Sequence, residues 1–344
     1  MSAKFDVVIG NPPYQEEAVG TATHKMPIYH EFMEAAHQLG KKAVLVTPAR
    51  FLFNAGYTPK KWNQKKLTDP HFRVSDYFPN SDDLFPGTGI RGGVVVTVRD
   101  EDSPGEPIGT FTKFPELTSI LRKVSQRSKS TPSLGDSFSP DTRYTSKMHE
   151  EHPNAVDFLA VGHENDIGTH AFSRLPFLFP SKHPEDGNEY LKMLGLIQNK
   201  RVKHWVRRDY VKGPGSFDTY KVVFPKSNGS GYFGETLSTP VVLGPGETAT
   251  RSFILTGSCE TPAEADAVLK YVKSKFARAM LGVLKVTQDN PARVWKHVPL
   301  QDFTENSDID WSKSIPEIDQ QLYAKYGLDD EEIEFIESHV KPMD

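Results

Sequence analysis

Cysteine is nearly absent from this chain of 344 residues, since Cys259 is the only one. A single cysteine excludes both a disulfide framework and a zinc site built from several thiolates. The sequence also lacks a secretory signal and any apolar run long enough to cross a membrane. Its twelve histidines show no metal-ligand spacing, so no metal site is predicted. These absences predict a cytoplasmic protein that does not act at a membrane.

Charge of one sign does not dominate the chain, whose formal net charge is −4, but the charges are unevenly distributed. Residues 198–226 hold eight basic and two acidic side chains, and residues 270–296 hold seven basic and one acidic. Residues 301–344, in contrast, hold thirteen acidic and three basic side chains. A basic middle followed by an acidic end suits a groove for a polyanion. A solvated charged face explains either basic segment alone equally well.

A rigid loop follows the first apolar run of the sequence. The run at residues 5–10 leads into Asn11, Pro12, Pro13 and Tyr14, which predicts a buried strand ending in a constrained turn. The Asn11 side-chain oxygen and the Pro12 carbonyl are hydrogen-bond acceptors, and neither proline has an N–H to compete. The Tyr14 ring offers a stacking face. Two acceptors and an aromatic face suit the amino group of a flipped adenine, whereas the alternative is an ordinary surface turn.

The segment FDVVIGNPPYQ at residues 5–15 closely resembles the catalytic motif of adenine-specific DNA methyltransferases from bacterial restriction–modification systems. Residues 27–32, 42–52 and 83–94 resemble the helix, the strand with its Thr-Pro turn, and the late hairpin motif that follow in this family. The resemblance implies that the four loop residues are catalytic. It also implies that Tyr14 and Phe85 bind the target base, since Phe85 matches the family's late aromatic residue.

The second half of the chain resembles the target-recognition region of these enzymes, especially at residues 274–276 and 295–299. Within it, residues 200–210 interleave cations with aromatic residues, and such cations neutralise phosphates while the rings stack or wedge. Trp205 and Tyr210 are equally compatible with a packed core, but their position in a recognition-like region favours DNA. The predicted DNA contacts are Lys200, Arg201, Lys203, Trp205, Arg207, Arg208 and Lys275.

A cofactor motif is the main feature that the resemblance requires and the sequence lacks. The family binds S-adenosylmethionine on an earlier strand, Gly-rich turn and helix, and the five residues before Asp6 leave no room for that unit. Residues 229–234 fit GxGxxG, but a strand pattern follows them and a tight hairpin loop is the preferred interpretation. The sequence therefore predicts an incomplete cofactor site. Either a partner subunit or a missing segment completes it, or the chain is a degenerate methylase.

Alternating strand and helix patterns predict an α/β fold. We expect a partial Rossmann-like methyltransferase domain at residues 1–127, containing the C-terminal half of its sheet. A linker at 128–165 and an α+β target-recognition, DNA-binding domain at 166–303 follow. An acidic helical tail at 304–344 ends the chain. Within the recognition domain, Thr261 is predicted to cap one helix that runs to about Val286.

Together these observations predict a DNA adenine N6-methyltransferase component of a restriction–modification system. It would transfer a methyl group from S-adenosylmethionine to a flipped adenine in double-stranded DNA. The isolated chain is expected to be incomplete and inactive without a partner or further segment. A non-catalytic DNA-binding specificity module derived from such a methylase is the competing prediction.

Overall fold

The computed structural model describes residues 5–16, 26–213 and 215–344. The chain divides into two compact units, Met1–Thr118 and Ser119–Asp344. Both units combine helices with β-sheets, so the fold is mixed α/β with several sheets. The division lies inside a helix, Pro115–Arg127, and not at the end of that helix, where the first domain was expected to finish. The domain limits drawn from the sequence stay predictions.

One four-stranded sheet organises the first unit. Its elements are β1 (Phe5–Gly10), α1 (Tyr29–Leu39), β2 (Gly40–Pro48), α2 (Lys60–Leu67), β3 (Phe72–Phe78) and β4 (Val94–Asp100). The strand order is β1-β2-β4-β3. β1 runs parallel to β2, with Ile9 opposite Val44, whereas β4 is antiparallel to both β2 and β3. Among the described residues, β1 therefore lies at an edge of the sheet and pairs with one strand, β2.

An aromatic cluster packs the helices of the first unit against one face of this sheet. Helix α1 buries Tyr29 and Met33. Phe51, which follows β2, packs against Trp62 of α2 with ring centroids 5.2 Å apart and against Phe72 of β3 at 6.2 Å. Burial of one large apolar side chain stabilises a fold by about 1.5–3 kcal/mol. This cluster therefore fixes the chain where it leaves the end of β2.

The strand at residues 5–10 was predicted to be buried, and that prediction is wrong, because β1 is an outer strand that keeps a row of apolar side chains exposed. Phe5, Val7 and Ile9 alternate along β1, and their exposed fractions are 64, 48 and 77 %. In the parallel pairing, Val7 and Ile9 lie beside Lys42 and Val44 of β2, both only half-buried. An open edge next to exposed apolar side chains is a surface on which further polypeptide packs.

The second unit contains three smaller sheets and several helices. In chain order its elements are α3 (Pro115–Arg127), β5 (Arg143–Tyr144), α4 (Ser146–Glu151), α5 (Ala171–Arg174), β6 (Tyr190–Ile197), β7 (Lys200–Arg207), β8 (Val211–Lys212), β9 (Tyr220–Pro225), β10 (Val241–Leu243), β11 (Glu247–Ala249), β12 (Phe253–Cys259), α6 (Pro262–Lys273), α7 (Lys275–Gly282), α8 (Ile315–Tyr326) and α9 (Asp330–His339). The sheets have the orders β10-β9-β12, β11-β6-β7 and β5-β8. β6 and β7 form an antiparallel hairpin, which we call the basic hairpin (residues 190–207).

The prediction of one helix from Thr261 to about Val286 is wrong, because the helix is interrupted at Ser274 and a second helix begins at Lys275. Thr261 does cap α6, and its side chain accepts a hydrogen bond from the backbone N–H of Glu264. Ser274 has ψ of 148°, outside the helical region, and its side chain accepts from the N–H of Ala277. A serine that caps a new helix offers the backbone an alternative to continued helix.

The segment expected to be a linker, residues 128–165, contains regular structure of its own. It includes β5 and α4, and it contributes Tyr144, Met148 and Ala155 to a buried hydrophobic cluster of the second unit. Its polar residues form local caps, such as the box in which Ser133 and Asp136 bond reciprocally. Polar composition in this segment therefore marks turns within a packed unit.

Candidate active site

The residues that resemble a catalytic motif form a loop at the end of β1, which we call the NPPY loop (residues 11–16). Asn11 directly follows the strand and is exposed. The far side of the loop is tied to the start of α1, because the Ile28 N–H donates to the Tyr14 carbonyl at 3.2 Å. The Glu16 N–H donates to the Met26 carbonyl at 3.0 Å. The loop is thus held at both ends by main-chain contacts.

Tyr14 places its hydroxyl in a buried position. That hydroxyl has no hydrogen-bond partner among the described residues. Burial raises the pKa of Tyr14, and the nearby Asn11 side chain partly opposes this effect. Tyr14 is therefore a neutral phenol at neutral pH. Its environment suits a ring used for packing and not a phenolate used as a base.

A second loop approaches the same region, and we call it the late loop (residues 79–93). Its backbone is closed by its own side chains. Asp82 Oδ1 accepts hydrogen bonds from the N–H groups of Thr88 and Gly89, both at 3.1 Å. Ser81 Oγ accepts from the N–H of Ile90 at 2.7 Å. These hydrogen bonds within the loop define the path of its backbone.

Two glycines bring the late loop close to its neighbours. Gly92 and Gly93 have φ of +88° and +79°, a region that L side chains rarely adopt. A Cβ on Gly93 would collide with the Phe78 carbonyl, and one on Gly92 would lie 2.9 Å from Cγ of Arg50. Arg50 in turn donates from Nε to the Arg91 carbonyl at 2.5 Å. The glycines thus allow the late loop to pack directly on the segment after β2.

These segments surround a cavity of about 320 Å³ within the first unit. Its wall combines tyrosine rings, two arginines and backbone of the late loop. The residues that line it are Tyr14, Gln15, Pro27, Tyr29, Pro48, Arg50, Gly56, Tyr57, Thr88, Gly89, Ile90 and Arg91. The volume falls at the lower end of the range for small-molecule sites, about 300–1,000 Å³. Aromatic rings with a few fixed polar groups suit a flat, polar heterocycle.

The cavity includes only part of the site expected from the sequence. Tyr14 lines it, whereas Asn11, Pro12 and Pro13 lie outside its wall. Phe85, expected against the base, is half-buried in the late loop and is not in the wall either. The roles assigned to these residues stay predictions.

Several wall residues were not singled out as site residues from the sequence. They are Tyr29, Arg50, Tyr57 and Arg91. Tyr29, Arg50 and Arg91 lie in the segments similar to the family's later motifs, which was their only signal, whereas Tyr57 lies outside those segments. Burial raises the pKa of Tyr29 strongly, with Thr58 and Arg50 opposing, so this phenol is also neutral.

Three of the predicted DNA-binding cations, on the basic hairpin and in the turn after it, are engaged in ion pairs. Lys203 Nζ lies 2.5 Å from Glu247. Arg207 contacts Glu151 at 2.9 Å and Asp209 at 2.7 Å. Arg208 contacts Asp218 at 2.7 Å and Glu189 at 3.4 Å. Each of these three charges is therefore matched locally by carboxylates.

The other residues predicted to bind DNA differ in how they are held. Arg201 donates to the carbonyls of Thr239 and Ser238, at 2.6 and 2.9 Å, and Lys275 contacts Glu337 at 2.5 Å. Trp205 is half-buried and packs edge-on against His183, with ring centroids 4.6 Å apart. Lys200 is exposed, at the turn of the hairpin. A DNA role for these residues stays a prediction.

The Gly-rich loop at residues 229–234 already holds an anion from this chain. The carboxylate of Glu235 accepts from the N–H groups of Ser230 and Gly231, at 2.9 and 3.0 Å. Lys285 neutralises the same carboxylate at 2.6 Å. The amides that would cradle a phosphate are therefore occupied by a side chain. Within the described residues this loop offers no cradle for S-adenosylmethionine.

The part of the chain that the structure describes contains neither a metal-binding cluster nor a membrane-spanning helix. No group of three or more His, Cys, Asp or Glu side chains there is placed to hold a metal ion. No helix among the described residues is long and apolar enough to span a membrane.

Comparison with known proteins agrees with the family resemblance predicted from the sequence. Residues 1–85 match the family model of the Eco57I restriction-modification methylase. These residues contain the NPPY loop, β2 and the first part of the late loop. The predicted resemblance to restriction–modification adenine methyltransferases is thereby confirmed for the first quarter of the chain.

A curated relative and a solved structure show more distant similarity. An "Uncharacterized adenine-specific methylase" of Mycoplasma pneumoniae (strain ATCC 29342 / M129 / Subtype 1) is 28% identical over 131 residues. That alignment covers 37% of this chain and 28% of the relative, so the chain spans little more than a quarter of the relative's length. The Type IIL restriction-modification enzyme MmeI in complex with DNA has a TM-score of 0.40 and 10% identity, covering 97% of this chain and 56% of that one.

Proposed function

We propose that this chain carries the base-binding part of a DNA adenine N6-methyltransferase of a restriction–modification system. One observation carries the proposal: the NPPY loop, within residues that match a restriction-modification methylase, ends at a tyrosine-lined cavity. Two neutral tyrosines in that wall, Tyr14 and Tyr29, favour a flat aromatic ligand. Asn11 stands just before the cavity wall begins, where an amino group at the edge of the base would arrive.

The chain's own residues would bind and orient the adenine. Tyr14 would stack on the base, while the Asn11 side chain and the Pro12 carbonyl accept hydrogen bonds from its amino group. Acceptors fixed on both protons draw electron density toward the nitrogen and hold its lone pair in line for attack. No strong base is required beforehand, because the proton leaves after the nitrogen has changed hybridisation. S-adenosylmethionine supplies the methyl group in enzymes of this class.

The cofactor site is the part that the described residues do not supply. The backbone N–H groups of their GxGxxG loop donate to the Glu235 carboxylate, so this loop does not bind the cofactor in the proposed reaction. The open edge of β1 supports completion by other polypeptide, since Phe5, Val7 and Ile9 remain exposed on it. We propose that a preceding segment or a partner subunit adds strands on that side and brings the cofactor motif.

The proposal is tested by measuring the modified base directly. The chain, expressed together with the coding regions that flank it in a host without adenine methylation, should produce N6-methyl-2′-deoxyadenosine in digested DNA. Mass spectrometry would quantify the nucleoside. Asn11→Ala should lower its yield by roughly 100-fold or more, because one fixed partner of the reacting nitrogen is lost. Asn306→Ala, an exposed asparagine far along the chain, is the matched control and should leave the yield unchanged.

The occupied Gly-rich loop also favours a second candidate, a DNA-binding specificity module without methyl-transfer activity. If the wild-type chain with its flanking regions yields no methylated adenine but binds duplex DNA in a gel-shift assay, this second function replaces the first. A normal yield from Asn11→Ala would instead remove the NPPY loop from the mechanism.

A further inference from the structure

The cavity beside Tyr14 carries positive charge that no described residue of its wall neutralises. Arg50 and Arg91 both line it, and no Asp or Glu lies among the described residues of the wall. A neutral adenine requires stacking surfaces and hydrogen bonds but not two guanidinium groups. The charge therefore calls for an additional, anionic part of the ligand.

Arg50 is held in place by its surroundings. Its Nε donates to the Arg91 carbonyl at 2.5 Å, and its stem packs against Gly56 and Gly92. It makes no ion pair with any described residue, so the outer nitrogens of the guanidinium keep their donors for a ligand. A guanidinium whose position is fixed in advance loses little side-chain entropy when it binds an anion.

Arg91 is exposed, and it projects from a loop whose own acids are already engaged. Asp82 accepts the two backbone N–H groups that close the late loop, and Asp83 accepts from the Asn80 side chain at 3.0 Å. Within the described part of the first unit, Arg91 has no ion-pair partner. The late loop thus presents one guanidinium through its side chain and fixes a second through its carbonyl.

We propose that Arg50 and Arg91 bind the phosphate group of the nucleotide whose base enters the cavity. The ligand class is a purine nucleotide within a phosphodiester chain, with its base on Tyr14 and its phosphate between the two arginines. Guanidinium groups match phosphate oxygens in geometry and form charge-assisted hydrogen bonds. This inference rests on the proposed function and assigns a positioning role to two residues outside the NPPY loop.

The test compares three small probes on the purified full chain: 2′-deoxyadenosine, 2′-deoxyadenosine 5′-monophosphate and inorganic phosphate. Ligand-detected NMR titration measures each dissociation constant even when binding is weak. The nucleotide should bind roughly tenfold more tightly than the nucleoside, as expected for added charge-assisted hydrogen bonds. Inorganic phosphate alone should bind more weakly than the nucleotide, because it lacks the stacked base.

Variants then assign that preference to the two arginines. Arg91→Ala should reduce the nucleotide-to-nucleoside ratio to near one without changing nucleoside affinity, and Arg91→Lys should restore part of the ratio. Arg50→Lys keeps the packed stem and should also lower the ratio. Arg73→Ala, which removes an arginine of β3 outside the cavity wall, is the control and should leave the ratio unchanged.

The outcomes separate this inference from the function beneath it. Equal affinity for nucleotide and nucleoside, or a preference that survives Arg91→Ala, would overturn the phosphate assignment and leave the base pocket standing. Inorganic phosphate binding as tightly as the nucleotide would also overturn it, since the site would then be a general anion site. Failure of both adenine probes to bind would remove the base pocket and the inference together.

Discussion

The cavity wall and the basic hairpin both carry cations, but they differ in ion pairing among the described residues. Neither arginine of the wall has a carboxylate partner, whereas two of the four hairpin cations predicted to contact DNA, Lys203 and Arg207, have one. Arg91 has no ion-pair partner among the described residues, and Arg50 donates only to a carbonyl. In contrast, Lys203 and Arg207 each contact a carboxylate within 3 Å. The number of basic residues in a sequence segment therefore does not predict how many unpaired cations its surface offers to a ligand.

The difference follows from where the neighbouring acids lie. In the late loop, Asp82 accepts two backbone N–H groups and Asp83 accepts from the Asn80 side chain, so both acids shape the loop. Around the basic hairpin, the acids face the cations directly and cancel much of their field. The contrast predicts that anion binding depends strongly on the late loop and weakly on the hairpin.

The largest effect is expected from a substitution that disturbs the backbone of the late loop. Gly93→Ala should lower the free energy of unfolding of the first unit by about 3 kcal/mol or more, because its Cβ would collide with the Phe78 carbonyl at positive φ. Urea unfolding measures the change. Gly87→Ala is the matched control: it has the same φ of +79°, but its Cβ would meet nothing within 4 Å. That variant should lose only about 1–2 kcal/mol. Equal losses would mean that close approach does not constrain the late loop.

A second prediction removes the stacking surface and leaves the arginines. Tyr14→Ala should weaken binding of 2′-deoxyadenosine 5′-monophosphate by roughly 1–3 kcal/mol, the value of one base–aromatic stack. Tyr14→Phe should retain the affinity, because the lost hydroxyl has no hydrogen-bond partner among the described residues. NMR titration of both variants provides the measurement. A clear loss of nucleotide affinity in Tyr14→Phe would contradict this prediction and show that the hydroxyl itself contacts the ligand.

The third prediction concerns the basic hairpin and duplex DNA. Lys203, Arg207 and Arg208 were expected to contact phosphates, and three such contacts would change the slope of log affinity against log salt by nearly three units. Since each cation is paired, we expect the triple alanine variant to change the slope by about one unit or less. Fluorescence anisotropy across a salt series measures it.

A variant that removes a carboxylate partner of one of these cations should have the opposite effect on DNA affinity. Asp218→Asn leaves Arg208 with Glu189 only, at 3.4 Å, and should raise DNA affinity if this surface faces DNA. An unchanged affinity in both the triple variant and Asp218→Asn would remove the basic hairpin from the DNA interface.

The last prediction concerns Lys221, a fully buried cation within residues 198–226. Its Nζ donates to the Ser216 carbonyl at 2.5 Å, and burial lowers the pKa of Lys221 to about 8. In the unfolded chain a lysine has a pKa near 10.4, so between about pH 8 and 10 the unfolded state binds more protons. Stability should therefore rise with pH across that window. Lys221→Met should abolish the rise, as measured by urea unfolding at several pH values. A pH-independent wild type would contradict the buried position of this charge.

The elements of the first unit were largely predictable because local signals and long-range packing agree there. The apolar alternation of β2 and the run in β4 each bury the side that the pattern indicates. Helix α1 forms where its spacing predicts, but its predicted apolar face is wrong, because Phe32 and Leu39 are exposed and Tyr29 and Met33 are buried instead. The basic hairpin was not predicted. Its second strand, KRVKHWVR, carries charge on positions of both faces and so hides the two-residue period.

The site was less predictable than the fold, because its wall is assembled across long separations. Tyr14, Arg50 and Arg91 come from three segments, and no local pattern reveals that they share one cavity. The ion pairs of the basic hairpin have the same origin, since Arg207 meets Glu151 fifty-six residues away. The charge count of residues 198–226 could not register these partners.

The central claim is that the cavity beside the NPPY loop receives an adenine. A crystal structure of the full chain soaked with 2′-deoxyadenosine tests it most directly. In that structure we expect the base to stack on the Tyr14 ring. Its amino group should lie within hydrogen-bonding distance of the Asn11 side-chain oxygen and the Pro12 carbonyl. A base bound elsewhere, or one in the cavity with its amino group turned away from both acceptors, would contradict it.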